Sequence, residues 1–219
     1  MVDEEEVLET FWSLPIEGSE EGEIDVFGTK VADAPLNFQA KASVEFKNKL
    51  NEQLDIETDA AKTLLKNAGH TCGFFTVGGI YDSDFWDGNF APMSEGLIDD
   101  AKILHQAARA IGFGNYDIVR LDREEYRVRS YDSYESKMFL QENEEADHPR
   151  CHVMAGVMAS IMNIVFVDEV YDEVPDVFSS EAYWCEEVKC RSCGDPYCEF
   201  VVRKELNHNN DEEPPEELQ

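Results

Sequence analysis

Four of the six cysteines in this 219-residue chain fall close together, at Cys185, Cys190, Cys193 and Cys198. Their spacing, Cys-x4-Cys-x2-Cys-x4-Cys, brings several soft sulfur donors toward a single cation once the chain reverses between them. The turn CRSCGDPYC supplies Gly194 and Pro196 for that reversal. Zinc is the ion such donors favour; an iron–sulfur cluster, which also takes four thiolates, is the alternative, and unligated thiols are a third reading. Cys72 and Cys151 stand apart from the group. Strand alternation places Cys185 and Glu187 on one face of the segment entering the turn. Carboxylate oxygen is an acceptable zinc ligand, so spacing alone leaves open whether Glu187 or the outer cysteines complete the site.

The elements that must position these residues are two strands and a turn. Residues 182–189 and 197–204 are read as the strands flanking the Cys/Gly turn. Residues 151–164 are apolar and interrupted by Ala155, Gly156, Ala159 and Ser160, which predicts a buried helix passing into a strand near 165–170. Residues 43–67 repeat apolar positions at helical spacing, with a break in 55–59, Thr58 or Asp59 as a cap, and Gly69 as terminator; the apolar pattern also allows continuation through Phe75. Tyr81, Phe85, Trp86 and Phe90 mark an aromatic, turn-rich connector. Ser94 is expected to cap a helix through Ala110, ended by Gly112 and Gly114. Residues 116–121 and 126–131 read as a hairpin. Residues 1–35 are acidic and broken by glycine and proline, giving an arm with a short strand around 24–27.

Bulk properties narrow the function. The chain carries a net charge of −30 and is 42% hydrophobic, with 11% aromatic residues. That excess of acid repels phosphates and argues against direct nucleic-acid or anionic-membrane partners. No apolar run is long enough to span a bilayer and the acidic start is unlike a signal peptide, so a soluble, cytoplasmic protein is expected. In a reducing compartment six cysteines point to metal binding rather than a disulfide framework. Gly78-Gly79 and Gly112-x-Gly114 lack the rest of a phosphate-binding fingerprint, and no Gly-x-Ser-x-Gly elbow is present, so no catalytic residue is assigned.

Three stretches resemble the 4-vinyl-reductase-type (hydrocarbon-binding) domain family, which is related to the sensors of phenol- and xylene-responsive activators. They are AAKTLLKNAGHTCGFF (60–75), HPRCHVMAGVMASIM (148–162) and EEVKCRSCGDPYCEFVV (186–202), the last carrying a Glu-x-x-Cys-x7-Cys signature. The resemblance covers residues 25–204, between an acidic arm (1–24) and a disordered acidic tail (205–219). It implies an α/β fold with helices packed on an antiparallel sheet, like that of haem nitric-oxide-binding domains and Golgi transport subunits. It also implies Cys151, Glu187, Cys190 and Cys198 as zinc ligands, leaving Cys185 and Cys193 as departures or alternative ligands. A closed three-sulfur, one-oxygen site favours a structural role over Lewis-acid catalysis.

The same resemblance implies a pocket for a small apolar, aromatic, hydrocarbon or tetrapyrrole-like molecule. The residues offer candidates for its lining: Tyr81, Phe85 and Trp86 from the connector, Met154 and Met158 with Met162 from one helix face, and His105 or His70 as hydrogen-bonding groups. Each has a plain alternative as packed core. His152 beside Cys151 is either a group supporting a ligand or an exposed side chain. The expected function is a stand-alone sensor, carrier or accessory protein that acts through a protein partner, with homodimerisation implied by the resemblance. The alternatives are an accessory protein or enzyme in a reductive, vinyl-reductase-like step, and an assembly subunit with no ligand.

Overall fold

In the computed structural model the described residues are 2–14, 17, 24–26, 29–31, 36–54, 58–167 and 182–204. Their elements run α1 (Glu4–Trp12), β1 (Ile24–Val26), β2 (Thr29–Val31), α2 (Leu36–Leu54), α3 (Thr58–Tyr81), α4 (Asp84–Asn89), a 3-10 turn (Ala91–Met93) and α5 (Leu97–Ala110). They continue with β3 (Asp117–Leu121), β4 (Tyr126–Ser130), α6 (Tyr134–Glu142), α7 (His152–Phe166), β5 (Trp184–Lys189), a second 3-10 turn (Arg191–Cys193) and β6 (Cys198–Arg203). The fold is α/β, with the helices packed on an antiparallel sheet of order β3-β4-β6-β5; β1 and β2 form a separate antiparallel ribbon. No helix of the described residues is long and apolar enough to cross a membrane.

Helix α7 sets the architecture. Every residue from Met154 to Phe166 is buried, and a helix apolar on all sides needs cover on all sides. Helices α3 and α5 pack against it, as do strands β5 and β6. The crossing with α3 is made at backbone distance. A Cβ on Gly156 would lie 2.0 Å from the Lys66 carbonyl oxygen, and one on Gly69 would lie 2.0 Å from that of Val153. Gly69 is therefore a packing position and not the expected terminator; α3 runs past it to Tyr81.

Other expectations are corrected similarly. Val165 and Phe166 belong to α7 and not to a strand, because this helix buries them; 168–170 lie outside the described residues, as do 55–57 and the tail at 205–219. The aromatic connector contains α4, whose Ser83 hydroxyl accepts the Trp86 amide at 3.2 Å. Ser94 does not cap α5: its hydroxyl accepts the Gly96 amide at 3.1 Å, and Gly96 is the cap residue. Within the acidic arm, Glu4, Glu5 and Glu6 form the first turn of α1, where Asp3 caps and the helix dipole favours acid. Val7, Leu8 and Phe11 on that helix are buried, and α1 packs on α5.

The sheet separates two chemistries by alternation. Tyr126, Val128 and Ser130 of β4 pair with Val202, Phe200 and Cys198 of β6, and all six are buried. Cys185 and Glu187 of β5 pair with Val202 and Phe200, so they share this inner face. The outer face carries ion pairs of Arg127 and Arg129 with Glu199, and of Arg127 and Arg203 with Glu125.

Candidate metal centre

The Glu-x-x-Cys spacing has a local cause. The β5–β6 register shifts between Glu187 and Lys189, which marks a bulge. Val188 is exposed while Lys189 pairs with Glu199 of the outer face, so two successive residues are kept off the inner face. Cys190 then turns inward three residues after Glu187. The 3-10 turn follows, with Cys193 N–H donating to the Cys190 carbonyl at 2.9 Å and Gly194 in the left-handed region at φ 86°. Asp195 accepts the Cys190 amide at 2.9 Å, and Cys198 opens β6 beside its starting point.

Cys151 arrives from the other side of the core. It is the N-cap residue of α7, but its side chain makes no capping bond. Glu135 of α6 supplies the cap instead, accepting the Met154 amide at 3.0 Å and the Val153 amide at 3.4 Å. The Cys151 sulfur is thereby free to face β6, where it lies 3.8 Å from the Cys198 sulfur.

The structure thus brings Cys151, Glu187, Cys190 and Cys198 together, with one ligand atom from each lying within 4.8 Å of the others. The three cysteines are 0% exposed and Glu187 is 7% exposed, so the centre is closed to solvent. Glu187 Oε2 accepts the Cys151 backbone N–H at 2.8 Å. Its Oε1 is buried with no hydrogen-bond partner, an arrangement that costs about 1–3 kcal/mol unless something else meets it. Burial pushes both Cys151 and Glu187 toward their protonated forms, while hydrogen bonds from Cys151 and then Cys198 shift Cys190 the other way, toward thiolate. Four clustered acids with that imbalance fit a cation, which lets all four ionise. The sulfur spacing fits as well, since two thiolates ~2.3 Å from a tetrahedral ion stand about 3.8 Å apart.

The surroundings hold the sulfurs in place. Ser133 Oγ donates to the Cys151 sulfur at 3.1 Å, the Arg191 amide lies 3.4 Å from the Cys198 sulfur, and Ser136 Oγ lies 3.6 Å from it. Sequence reasoning missed Ser133, Glu135 and Ser136 because it assigned no element to 132–147. The available signal was Ser133 preceding Tyr134, Met138 and Phe139, an N-cap followed by helical apolar spacing. Cys185 is not brought to the centre, since it sits two residues, about 7 Å, back along β5. Cys193 lies at the rim, partly exposed. His152 is buried and turned toward α2, with Nε2 3.4 Å from Lys47 Nζ.

The candidate pocket residues form two groups within one core. Tyr81, Phe85 and Trp86 make an aromatic cluster with Phe90: Tyr81 and Trp86 meet edge-on at 4.6 Å, Phe85 and Phe90 at 5.4 Å. The Tyr81 hydroxyl donates to Asp100 at 3.2 Å. His105 belongs to the second group, and both of its nitrogens are committed within the protein. Nε2–H donates to the Tyr116 carbonyl at 2.7 Å, and Nδ1 accepts the Tyr126 hydroxyl. Burial lowers the His105 pKa to about 4, which keeps the ring neutral. Met158 contacts the same Tyr126 hydroxyl at 3.6 Å, and Met154 is fully buried one turn earlier. His70 accepts from Asn163 at 2.8 Å through Nε2, and its Nδ1 is buried with no partner.

The fold is similar to that of the phenol-responsive sensory domain of the transcription activator PoxR with phenol. That likeness has a TM-score of 0.65 and 14% identity, and covers 91% of this chain and 89% of the other. A trafficking protein particle complex subunit 3 from Naegleria fowleri, covalently bound to palmitic acid, has a TM-score of 0.49 at 17% identity, covering 77% and 93%. A vinyl-4-reductase family protein from Methanocaldococcus jannaschii has a TM-score of 0.42 at 16% identity, covering 79% and 83%. No protein-family model matches the sequence, and no curated protein matches it with significance. The sequence resemblance to phenol-sensing domains is met at the level of the fold.

Proposed function

We propose that this chain is a zinc-containing binding protein for a small apolar, aromatic molecule, acting as a sensor, carrier or accessory component. The observation that carries the reading is the likeness, over nearly the whole of both chains, to a sensory domain described as phenol-responsive. Two features of the chain support it. Helix α7 is buried along its length and lined by methionines, which adapt to varied apolar shapes. The donor cluster then ties the start of that helix to the end of the sheet. Zinc suits three thiolates and one carboxylate, and four protein donors leave no open position for a substrate, so the ion would clasp helix to sheet.

The binding unit is proposed to span 25–204, with α1 bracing α5 from outside it. A cytoplasmic setting suits free thiols, and a second copy of the chain or another protein would carry the output. Native mass spectrometry of protein purified from its own host, reporting metal and retained small molecule together, tests the reading. One zinc per chain and stabilisation by phenol-class compounds in a thermal-shift screen are expected. A metal-free chain that no aromatic or hydrocarbon stabilises would overturn it.

A further inference from the structure

The proton on His70 is placed by the groups around its Nε2. The Tyr183 amide donates to Asn163 Oδ1 at 2.6 Å, which fixes the orientation of the Asn163 side chain. Asn163 Nδ2 therefore faces the Tyr183 carbonyl at 3.1 Å and His70 Nε2 at 2.8 Å. An amide nitrogen only donates, so Nε2 accepts and carries no proton. Burial lowers the His70 pKa to about 4 and keeps the ring neutral, which puts its one N–H on Nδ1.

That Nδ1–H is buried and meets no acceptor among the described residues, on a residue 1% exposed. An unpaired buried donor opposes folding, and the bond to Asn163 uses Nε2 alone. The residue is also held firmly. It follows Gly69 at the α3–α7 crossing, and its backbone nitrogen lies 2.5 Å from where a Cβ on Gly156 would stand. Phe74, one turn further along α3, sets its ring 24° from that of His70, with 6.1 Å between centroids. His105, by contrast, commits both nitrogens within the protein.

We propose, resting on the reading of the chain as a binding protein for small aromatic molecules, that His70 Nδ1–H selects the ligand by donating to an oxygen on it. The contact lies where α3, α7 and the entry to β5 meet. A neutral donor in a dry core suits a neutral oxygen, such as that of an aromatic ether, ketone or phenol. A carboxylate would bring an unpaired charge into the core. A plain hydrocarbon would leave the N–H without an acceptor. Asn163 is the positioning residue, because its amide keeps the proton on the nitrogen that faces the ligand.

Anisole and ethylbenzene, alike in shape and differing by one oxygen, are the probes. NMR of the full chain, isotope-labelled at the histidine nitrogens, is expected to show His70 protonated at Nδ1 and bare at Nε2. Anisole is expected to shift the Nδ1–H signal and to bind about tenfold more tightly than ethylbenzene, the worth of one hydrogen bond. His70→Phe is expected to bind the two equally. An Nε2-protonated ring, equal affinities in wild type, or an Nδ1–H signal that bound anisole leaves unmoved (a donor met by water alone) would overturn the role of His70, while aromatic binding stands. A wild-type chain that binds neither probe nor phenol would overturn the aromatic-binding reading itself.

Discussion

Glu187 Oε2 accepts the backbone N–H of Cys151 at 2.8 Å, while Oε1 of the same carboxylate is buried without a protein partner. One side chain thus joins strand β5 to the start of α7 by a bond needing no ion, and offers a second oxygen that only an ion or a proton would satisfy. The two contributions separate experimentally. Glu187→Ala removes the acceptor and leaves a buried amide unpaired, so metal-stripped protein is expected to lose about 1–3 kcal/mol. Urea denaturation in the presence of chelator measures it. An unchanged midpoint would show that the carboxylate contributes through metal alone.

On the proposed metal reading, removing a sulfur acts through the ion. Cys190→Ser and Cys198→Ser each delete a thiolate whose binding energy is coupled to folding. Both are expected to purify without stoichiometric metal and to melt at the lower temperature that chelator imposes on wild type. Metal analysis and calorimetry on the same samples check this. Retained zinc and unchanged melting in both variants would refute the ligand assignment.

The centre was half legible in the sequence. Cys190 and Cys198 announce themselves by local spacing, because a turn returns the chain to its starting point. Glu187 was a candidate by alternation, but its selection over Cys185 depends on the bulge after it, and no local pattern specifies a bulge of this kind. Cys151 is 36 residues from Glu187 in sequence, and its convergence is a tertiary fact. Spacing did not identify it; resemblance did. Helix α7 was legible because its apolar run is long, whereas α6 was missed because its short amphipathic pattern is diluted by Glu135, Ser136 and Lys137. Helix α1 was hidden by its charge: three successive glutamates read as a solvated arm until Val7, Leu8 and Phe11 are seen buried beneath them.

The contact between α3 and α7 predicts a sharp contrast between two glycines. Gly156→Ala places a methyl group 2.0 Å from the Lys66 carbonyl oxygen, and that oxygen is backbone within a helix. The helices must separate to admit it, at a cost of about 3 kcal/mol. Gly88, within α4, has nothing within 4 Å of the equivalent position. Gly88→Ala is expected to be neutral or to stabilise by up to about 1 kcal/mol, through helix propensity alone. Denaturant midpoints of the pair distinguish packing from propensity, and similar destabilisation in both variants would contradict the close crossing.

Glu135 predicts a dependence on pH. Its carboxylate caps α7 through the amides of Val153 and Met154 and accepts the Ser43 hydroxyl at 3.4 Å, yet burial dominates and raises its pKa from 4.5 to about 7. The folded chain therefore holds a proton that the unfolded chain releases between those two values. Stability from this group is fully present below pH 4.5 and is lost as pH rises through 7, a fall of roughly 3 kcal/mol. Glu135→Gln retains an acceptor oxygen for the helix amides and cannot ionise. With chelator present, so that metal binding does not titrate in the same window, the variant is expected to match wild type near pH 5 and exceed it at pH 8. Urea midpoints at the two pH values measure the difference. A variant that is less stable than wild type at pH 8 would mean that the ionised carboxylate, drawn by the α7 N-terminus, is the form the fold prefers.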